Sequence, residues 1–353
     1  MQKIAYDFCL QGTPVNSEAF GHGHINSTFL VTTDIGKKYI LQKINKYVFK
    51  DPVAVVKNAT AVTNHIRKGN HTALKFLCNK DGVYCCTDEQ GEYWRMYEYV
   101  EGFCVDNPET PEDVYQSALA FGQFQEQLAD FPAETLSETI PNFHNTVDRY
   151  RLLKESIAAD KAGRLCTVNK EVEFYLSHEQ LGSRLQQMKE QGQLPLRVTH
   201  NDTKINNVLL DPASHEPLCV LDLDTVMPGL SLYDFGDAIR SSARIGAEDE
   251  KDTSKIHLDL DMFQAYVRGY LESAPSLTEE EIHSFTLSAF TMTLECGCRF
   301  LTDYLDGDLY FRTAYPEHNL VRSRTHIALC KEILAKWEEM DQIVSQIAKK
   351  LRK

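Results

Sequence analysis

Residues Val198 to Asp211 read "VTHNDTKINNVLLD". His200, Asn201 and Asp202 stand side by side, Asn207 follows Asp202 by five residues, and the chain then enters an apolar run at once. A surface turn can be as polar as this, but it has no use for an acid and an amide at a set interval ahead of a buried strand. An Asp at the start of a loop can accept a hydroxyl proton, and an Asn five residues on can turn back to offer its side-chain oxygen to a cation. A second acid must then come from a neighbouring strand to reach the same cation.

"LCVLDLD", Leu218 to Asp224, supplies that acid: Asp222 and Asp224 close an apolar run fifteen and seventeen residues beyond Asn207. Acids at the mouth of a buried strand are costly unless a cation or hydrogen bonds meet them. Alternation along the strand places both on one face. The set matches what phosphoryl transfer asks of a protein, which is to orient a hydroxyl, hold Mg2+ on the ATP phosphates and neutralise spreading charge. A literal Asp-Phe-Gly occurs at Asp234 to Gly236, letters that elsewhere mark a metal-binding acid. It lies too far from Asn207 and closes no apolar strand. Asp222 is therefore read as the metal acid, and Asp234 as a structural carboxylate that braces the loop.

The 353 residues are enough for two packed lobes, and a hydrophobic fraction of 42% with 25% charged residues suits a soluble globular enzyme. A net charge of −14 argues against nucleic acid and anionic membrane as partners, since both need basic surface. No run approaches the roughly 18 apolar residues of a membrane span, and the N-terminus lacks the pattern of a signal peptide. The ten cysteines form no Cys-x-x-Cys pair. They read as free thiols of a reducing cytoplasm, the expected location.

From about residue 20 to 100 the chain is strand-rich. "STFLVTTDIGKKYILQKI" is a hairpin turning at Asp34-Ile35-Gly36, and "GVYCCTDEQGEYWRMYEYVEG" is a second strand pair. Between them "FKDPVAVVKNATAVTNHIRKG" is a helix, capped by Asp51, entered by Pro52 and closed by Gly69. From about 110 helices dominate, with "VEFYLSHEQLGSRLQQMKEQ", "TEEEIHSFTLSAFTMTLECGCRFLTDYL" and the C-terminal "RSRTHIALC…KKLRK" each expected as one helix, and "NVLLD" and "LCVLDLD" as short strands. The expected fold is α+β with two lobes. Residues 1–101 form a small antiparallel sheet with one helix that clamps a nucleotide, and 102–353 a larger, mostly helical lobe that carries catalysis and the acceptor.

The small lobe supplies candidates for the clamp. Gly21 and Gly23 of "GHGHINSTFLV" precede a strand, where glycine lets main-chain amides approach phosphates. The main chain of Tyr97, Glu98, Tyr99 and Val100, in the segment joining the lobes, would bind adenine. The strand "YILQKI" offers Gln42 and Lys43, only one of which can face ATP. Charge favours Lys43 and motif register favours Gln42. A strand lysine is ordinarily paired with a helix glutamate, but no glutamate occurs between Glu18 and Glu89. If Gln42 faces the nucleotide, an amide contact from Asn58 or Asn64 could replace the ion pair.

In this order, the glycine-rich turn, the strand pair, "MYEYVEG", "HNDxxxxN", "LDLD" and "YDFGD" resemble the aminoglycoside phosphotransferase and choline kinase group of the protein-kinase-like fold, over nearly the whole chain. More narrowly, "GHGHINSTF", "YILQKIN", "THNDTKINNVLLD", "VLDLDTVMPGLSLYDFGDAIR" and "RFLTDYLDGDLYF" are similar to N-acetylhexosamine 1-kinases. The resemblance implies ATP-dependent phosphorylation of the anomeric hydroxyl of GlcNAc or GalNAc. Asp202 would be the base, Asn207 and Asp222 would hold Mg2+, and Asp224 would support the metal or the sugar. His24, Arg299 and Tyr310 are implied as sugar contacts.

The acceptor wall is expected in "TDYLDGDLYFRTAYPEHNLVRSRTH", Thr302 to His326. A polycationic aminoglycoside wants an acidic wall and choline an aromatic cage. This segment mixes arginine, acid, histidine, asparagine and tyrosine, which suits a neutral sugar. The alternatives are a kinase of the same fold acting on an amino alcohol or aminoglycoside, and an inactive nucleotide-binding module.

Overall fold

The computed structural model describes residues 3–21 and 25–352. The small lobe runs β1 (Pro14–Ala19), β2 (Ser27–Thr33), β3 (Lys38–Ile44), α1 (Pro52–Lys68), β4 (Phe76–Leu77), β5 (Cys86–Thr87) and β6 (Tyr93–Glu98). The strands form one antiparallel sheet in the order β1-β2-β3-β6-β4, with β5 on β6. Gly36, at φ +77°, turns β2 into β3, and the Thr33 N–H closes the turn on the Lys37 carbonyl at 2.9 Å. The Asp51 carboxylate caps α1 through the Ala54 N–H at 3.0 Å, Pro52 opens the helix and Gly69 closes it. These local choices are as the sequence predicts.

The sheet has two unlike faces. Tyr39, Leu41, Trp94 and Met96 pack against Ile4, Ala5 and Phe8 of the N-terminal segment. Ile44, from the other face of β3, packs on Val55 and Val56 of α1. With side chains alternating along a strand, Gln42 and Arg95 share the α1 side, and Lys43 points the other way.

The large lobe begins with α2 (Pro111–Gln127) and α3 (Thr146–Ala159), followed by α4 (Asn169–Ser177), α5 (Glu179–Gly182) and α6 (Arg184–Glu190). Short strands follow: β7 (Arg197–Thr199), β8 (Val208–Leu210), β9 (Pro217–Val220) and β10 (Met227–Gly229). Then come α7 (Ser231–Ser242), β11 (Arg244–Ile245), β12 (His257–Leu258), α8 (Leu260–Ser273), α9 (Glu279–His283), α10 (Phe285–Asp306), α11 (His318–Ala335) and α12 (Trp337–Leu351). No helix among the described residues is long and apolar enough to cross a membrane. All ten cysteines are unbridged.

Three expected helices are broken. "VEFYLSHEQLGSRLQQMKEQ" forms α4, α5 and α6, because Ser177 Oγ and His178 Nδ1 both take the Phe174 carbonyl, at 2.9 and 2.7 Å, and compete with the helix ladder. "TEEEIHSF" breaks at Ser284 between α9 and α10, and the C-terminal run breaks at Lys336 between α11 and α12. Aromatic packing fixes α7 within the lobe. Phe235 stacks on Phe285 at 3.8 Å and meets Tyr266 and Tyr270 edge-on at 5.4 and 5.6 Å. Gly236 lets α7 press on α10, since a Cβ there would lie 2.4 Å from the Ser288 carbonyl oxygen.

Candidate active site

Strands β7 and β10 pair and frame a loop that runs from His200 to Asn207. The first turn of α7 points Asp234 into it. The Asp234 carboxylate accepts the N–H groups of His200 and Asn201 at 2.9 and 2.7 Å and the Gln125 amide at 2.9 Å. Burial raises the pKa of Asp234 despite these bonds. Thr203 donates to the Asp234 carbonyl at 2.6 Å, and its N–H reaches Asp237 at 3.2 Å. Asn201, at φ +63°, turns the chain sharply and donates to the Thr225 carbonyl at 2.8 Å. Asp234 thus braces the loop, as its position in the sequence suggested.

The loop presents Asp202 to the cleft between two partners. Lys204 Nζ lies 2.8 Å from Asp202 Oδ1. Asn207 gives its amide to the Asp202 carbonyl at 2.8 Å and to Oδ2 at 3.1 Å. Asn207 Oδ1 accepts no hydrogen bond among the described residues. His200 donates from Nε2 to the Leu221 carbonyl at 2.7 Å, and the Leu221 N–H reaches the Asn207 carbonyl at 2.8 Å. These two bonds lock Asp222 to the loop.

Strand alternation does not place the two acids. Strand β9 ends at Val220, Asp222 sits in a left-handed turn at φ +53°, and Asp224 lies in a single helical turn. The Asp222 carboxylate accepts no hydrogen bond among the described residues, and its pKa is pushed up to about 6 by desolvation, then by Asp224 and Asp202. Asp224 is buried and already taken, by the Arg95 guanidinium and by the Asn26 amide at 2.5 Å. Asp224 is thus held in an internal ion pair. With Asp202 met by Lys204 and Asp224 by Arg95, one acid remains unpartnered beside a free amide oxygen. That donor set of hard oxygens fits a divalent cation such as Mg2+.

Gln42 and Lys43 are now separated. Gln42 faces the cleft, accepts from Arg95 Nε at 2.9 Å and donates to Thr28 at 3.1 Å. Lys43 lies on the opposite face, on the side of Trp94 and Asp88. Neither Asn58 nor Asn64 meets Gln42. Asn58 is buried and donates to the Ser137 and Val226 carbonyls at 2.7 and 2.9 Å, tying α1 to the large lobe. Asn64 is exposed.

Of the glycine turn, Gly21 follows β1 at φ +74° in open space, and Gly23 and His24 lie outside the described residues. Where the lobes join, Glu98 and Tyr99 spend their N–H groups on the Lys75 and Lys38 carbonyls at 3.0 and 3.2 Å. The Val100 N–H, like those of Glu101 and Gly102, meets no acceptor among the described residues. Gly102 allows the joining segment to lie on β8, since a Cβ would fall 2.7 Å from the Leu210 carbonyl oxygen.

A pocket of about 420 Å³ opens between α3 and α10, lined by Ile140, Arg149, Arg299, Asp303, Tyr310 and Phe311 among others. His144 holds Glu295 of α10 at 2.8 Å and lies 3.5 Å from the Asn201 carbonyl. The acids of the pocket are occupied. Asp303 receives the N–H groups of Leu309, Tyr310 and Phe311 at 2.7–3.0 Å, Asp306 pairs with Lys161 at 3.5 Å, and Glu155 with Arg151 at 2.7 Å. Its arginines are less satisfied. Arg149 Nε is buried without a partner, and burial and the Arg299 charge lower the Arg149 pKa. Arg299 lies over the rings of Phe143, Tyr310 and Phe311 at 5.2, 5.8 and 5.5 Å.

Sequence reasoning overlooked Arg95, Lys204 and Asn26. Lys204 could have been found from its place two residues after Asp202. Arg95 left no local signal, because only strand pairing brings it to Gln42.

The chain matches the phosphotransferase enzyme family over residues 17–274 and belongs to it. Its fold is that of several solved kinases. An aminoglycoside phosphotransferase from Alicyclobacillus acidocaldarius is 14% identical, with a TM-score of 0.66 over 98% of this chain and 96% of that one. A microcompartment-associated aminopropanol kinase is 16% identical, with a TM-score of 0.63 over 96% and 97%. The amicoumacin kinase hAmiN, in complex with AMP-PNP and Ca2+, is 13% identical, with a TM-score of 0.62 over 92% and 91%.

Proposed function

We propose that this phosphotransferase is an ATP-dependent kinase whose acceptor is the anomeric hydroxyl of an N-acetylhexosamine, GlcNAc or GalNAc. The observation that carries the kinase reading is Asp202 held between Lys204 and Asn207 with Asp222 left unpartnered beside them. Asp202 accepts the proton of the hydroxyl as its oxygen bonds to the γ-phosphorus and the bond to ADP breaks. Asn207 Oδ1 and Asp222 would hold Mg2+, which supplies charge neutralisation on the phosphates. Lys204 orients Asp202 through their ion pair. Residues 1–101 serve as the nucleotide clamp, with Gly21 and Gly23 over the phosphates and Val100 on the base, and 102–353 bind the acceptor.

The sugar reading is supported by the pocket between α3 and α10. Arg299 already fills the aromatic faces that a quaternary ammonium would occupy, and Arg149 stands beside it. Two guanidinium groups repel choline, an amino alcohol or an aminoglycoside and suit neutral hydroxyl and acetamide oxygens. Arg299, Tyr310 and His24 are the proposed sugar contacts.

The test is ADP release from ATP and Mg2+ with GlcNAc, GalNAc, glucose, galactose, choline and kanamycin in parallel. Turnover on the acetamido sugars, lost on their methyl glycosides, is expected. Turnover confined to choline or kanamycin would overturn the sugar assignment and leave the Asp202 chemistry standing. ATP binding with no turnover on any of the six would favour an inactive nucleotide-binding module.

A further inference from the structure

We propose that Arg95 is the cation that holds the nucleotide phosphates in this chain, with Gln42 and Asp224 as its positioning partners. The inference rests on the kinase reading above and extends it to the question of what replaces the strand lysine and its helix glutamate.

Both parts of that ion pair are missing. No glutamate occurs between Glu18 and Glu89, and the buried polar side chain that α1 turns toward the large lobe, Asn58, is spent on two main-chain carbonyls. The cleft-facing position on β3 is the uncharged Gln42, and Lys43 is on the wrong face. Among the described residues, the strand site that would face an anionic nucleotide then carries no positive charge. Arg95 repairs this from the next strand. It is paired in register with Gln42, it is 2% exposed, and its Nε donates to Gln42 Oε1 at 2.9 Å. Its guanidinium rests against Asp224. Asp224 thus does for Arg95 what a helix acid does for a strand lysine, from the large lobe instead of from α1.

The donor count leaves room for a ligand. A guanidinium carries five N–H groups. The fold satisfies Nε with Gln42 and sets Nη1 against Asp224, and Nη2 has no partner among the described residues. An arginine kept this deep is costly unless its charge is used. Its planar fork is also suited to phosphate oxygens, which a point charge grips less specifically. Because Arg95 belongs to the small lobe and Asp224 to the large one, the same guanidinium joins the lobes behind the cleft.

Calorimetric titration of ADP, without metal and then with Mg2+, tests this on the full chain as wild type, Arg95→Lys, Arg95→Gln and the double variant Gln42→Lys with Arg95→Gln. Thermal midpoints measured alongside report folding. Arg95→Lys is expected to keep the fold and to weaken ADP roughly tenfold even without metal, because a bidentate contact becomes a single one. Arg95→Gln should weaken it further, and lysine at position 42 should recover most of the loss by restoring charge at the strand site. A purely structural Arg95 predicts a lower thermal midpoint with unchanged ADP affinity in the folded protein, and that result in Arg95→Lys overturns the proposal even if Arg95→Gln does not fold. Failure of the wild type to bind ADP at all would instead overturn the kinase reading, and this proposal with it.

Discussion

Asn207 donates its side-chain amide to Asp202 twice, at 2.8 Å to the carbonyl and 3.1 Å to the carboxylate, and its own oxygen accepts no hydrogen bond among the described residues. In the proposed mechanism this one side chain orients the base and offers its oxygen to the metal. Asn207→Ala should weaken Mn2+ binding, followed by electron paramagnetic resonance in the absence of acceptor, by roughly 10–100-fold. Unchanged Mn2+ affinity would remove Asn207 from the metal site.

Asp234 is buried and takes two N–H groups of the loop. Asp234→Ala strands those donors and the Gln125 amide, at a cost of about 3 kcal/mol or more. Turnover should fall together with stability in chemical denaturation. A variant as stable and as active as the wild type would show that the loop holds its shape without the brace.

Arg299 fills the aromatic faces of the acceptor pocket. Arg299→Met removes that charge and opens the rings. KM for the sugar should rise about tenfold or more with the loss of a charged hydrogen-bond donor, and KM for ATP should stay near its original value. Equal rises in both would mean a general loss of structure.

Glu281 is buried, bidentate with Arg197 at 2.6 and 2.8 Å, and hydrogen-bonded by Ser231 at 2.5 Å. Burial alone would raise its pKa, but Arg197, Ser231 and the Thr278 N–H outweigh it and hold it below the ordinary glutamate value. An acid depressed in the folded state stabilises above its unfolded pKa of about 4.3, and the contribution is lost as pH falls through the folded value. Glu281→Gln should lower the thermal midpoint near neutral pH and flatten its decline on acidification below about pH 4.3. A parallel decline in both proteins would show that other groups carry the acid sensitivity.

What could be read in the sequence was whatever short-range chemistry decides. The Asp34-Ile35-Gly36 turn, the Asp51 cap and the loop from His200 to Asn207 depend on residues a few positions apart. Asp234 was also legible, because it lies too far from Asn207 and closes no apolar strand, which left it a structural role once Asp222 was read as the metal acid. The breaks at His178, Ser284 and Lys336 were not, since apolar periodicity runs across them and only side-chain competition or tertiary packing ends each helix. The different backbone settings of Asp222 and Asp224 were hidden by assuming that β9 continues, when the chain turns left-handed at Asp222. Arg95 was out of reach for a different reason. It is 53 residues from Gln42, and antiparallel pairing alone makes them neighbours.

The most direct test of the account is Asp202→Asn, with turnover of the acetamido sugar and ADP affinity measured on the same preparation. The amide keeps the size of the side chain and cannot accept the hydroxyl proton. The account predicts a loss in kcat of about 10³-fold, within the range for a general base, with ADP affinity near that of the wild type. Turnover close to the wild-type rate would contradict the assignment of Asp202 as the base.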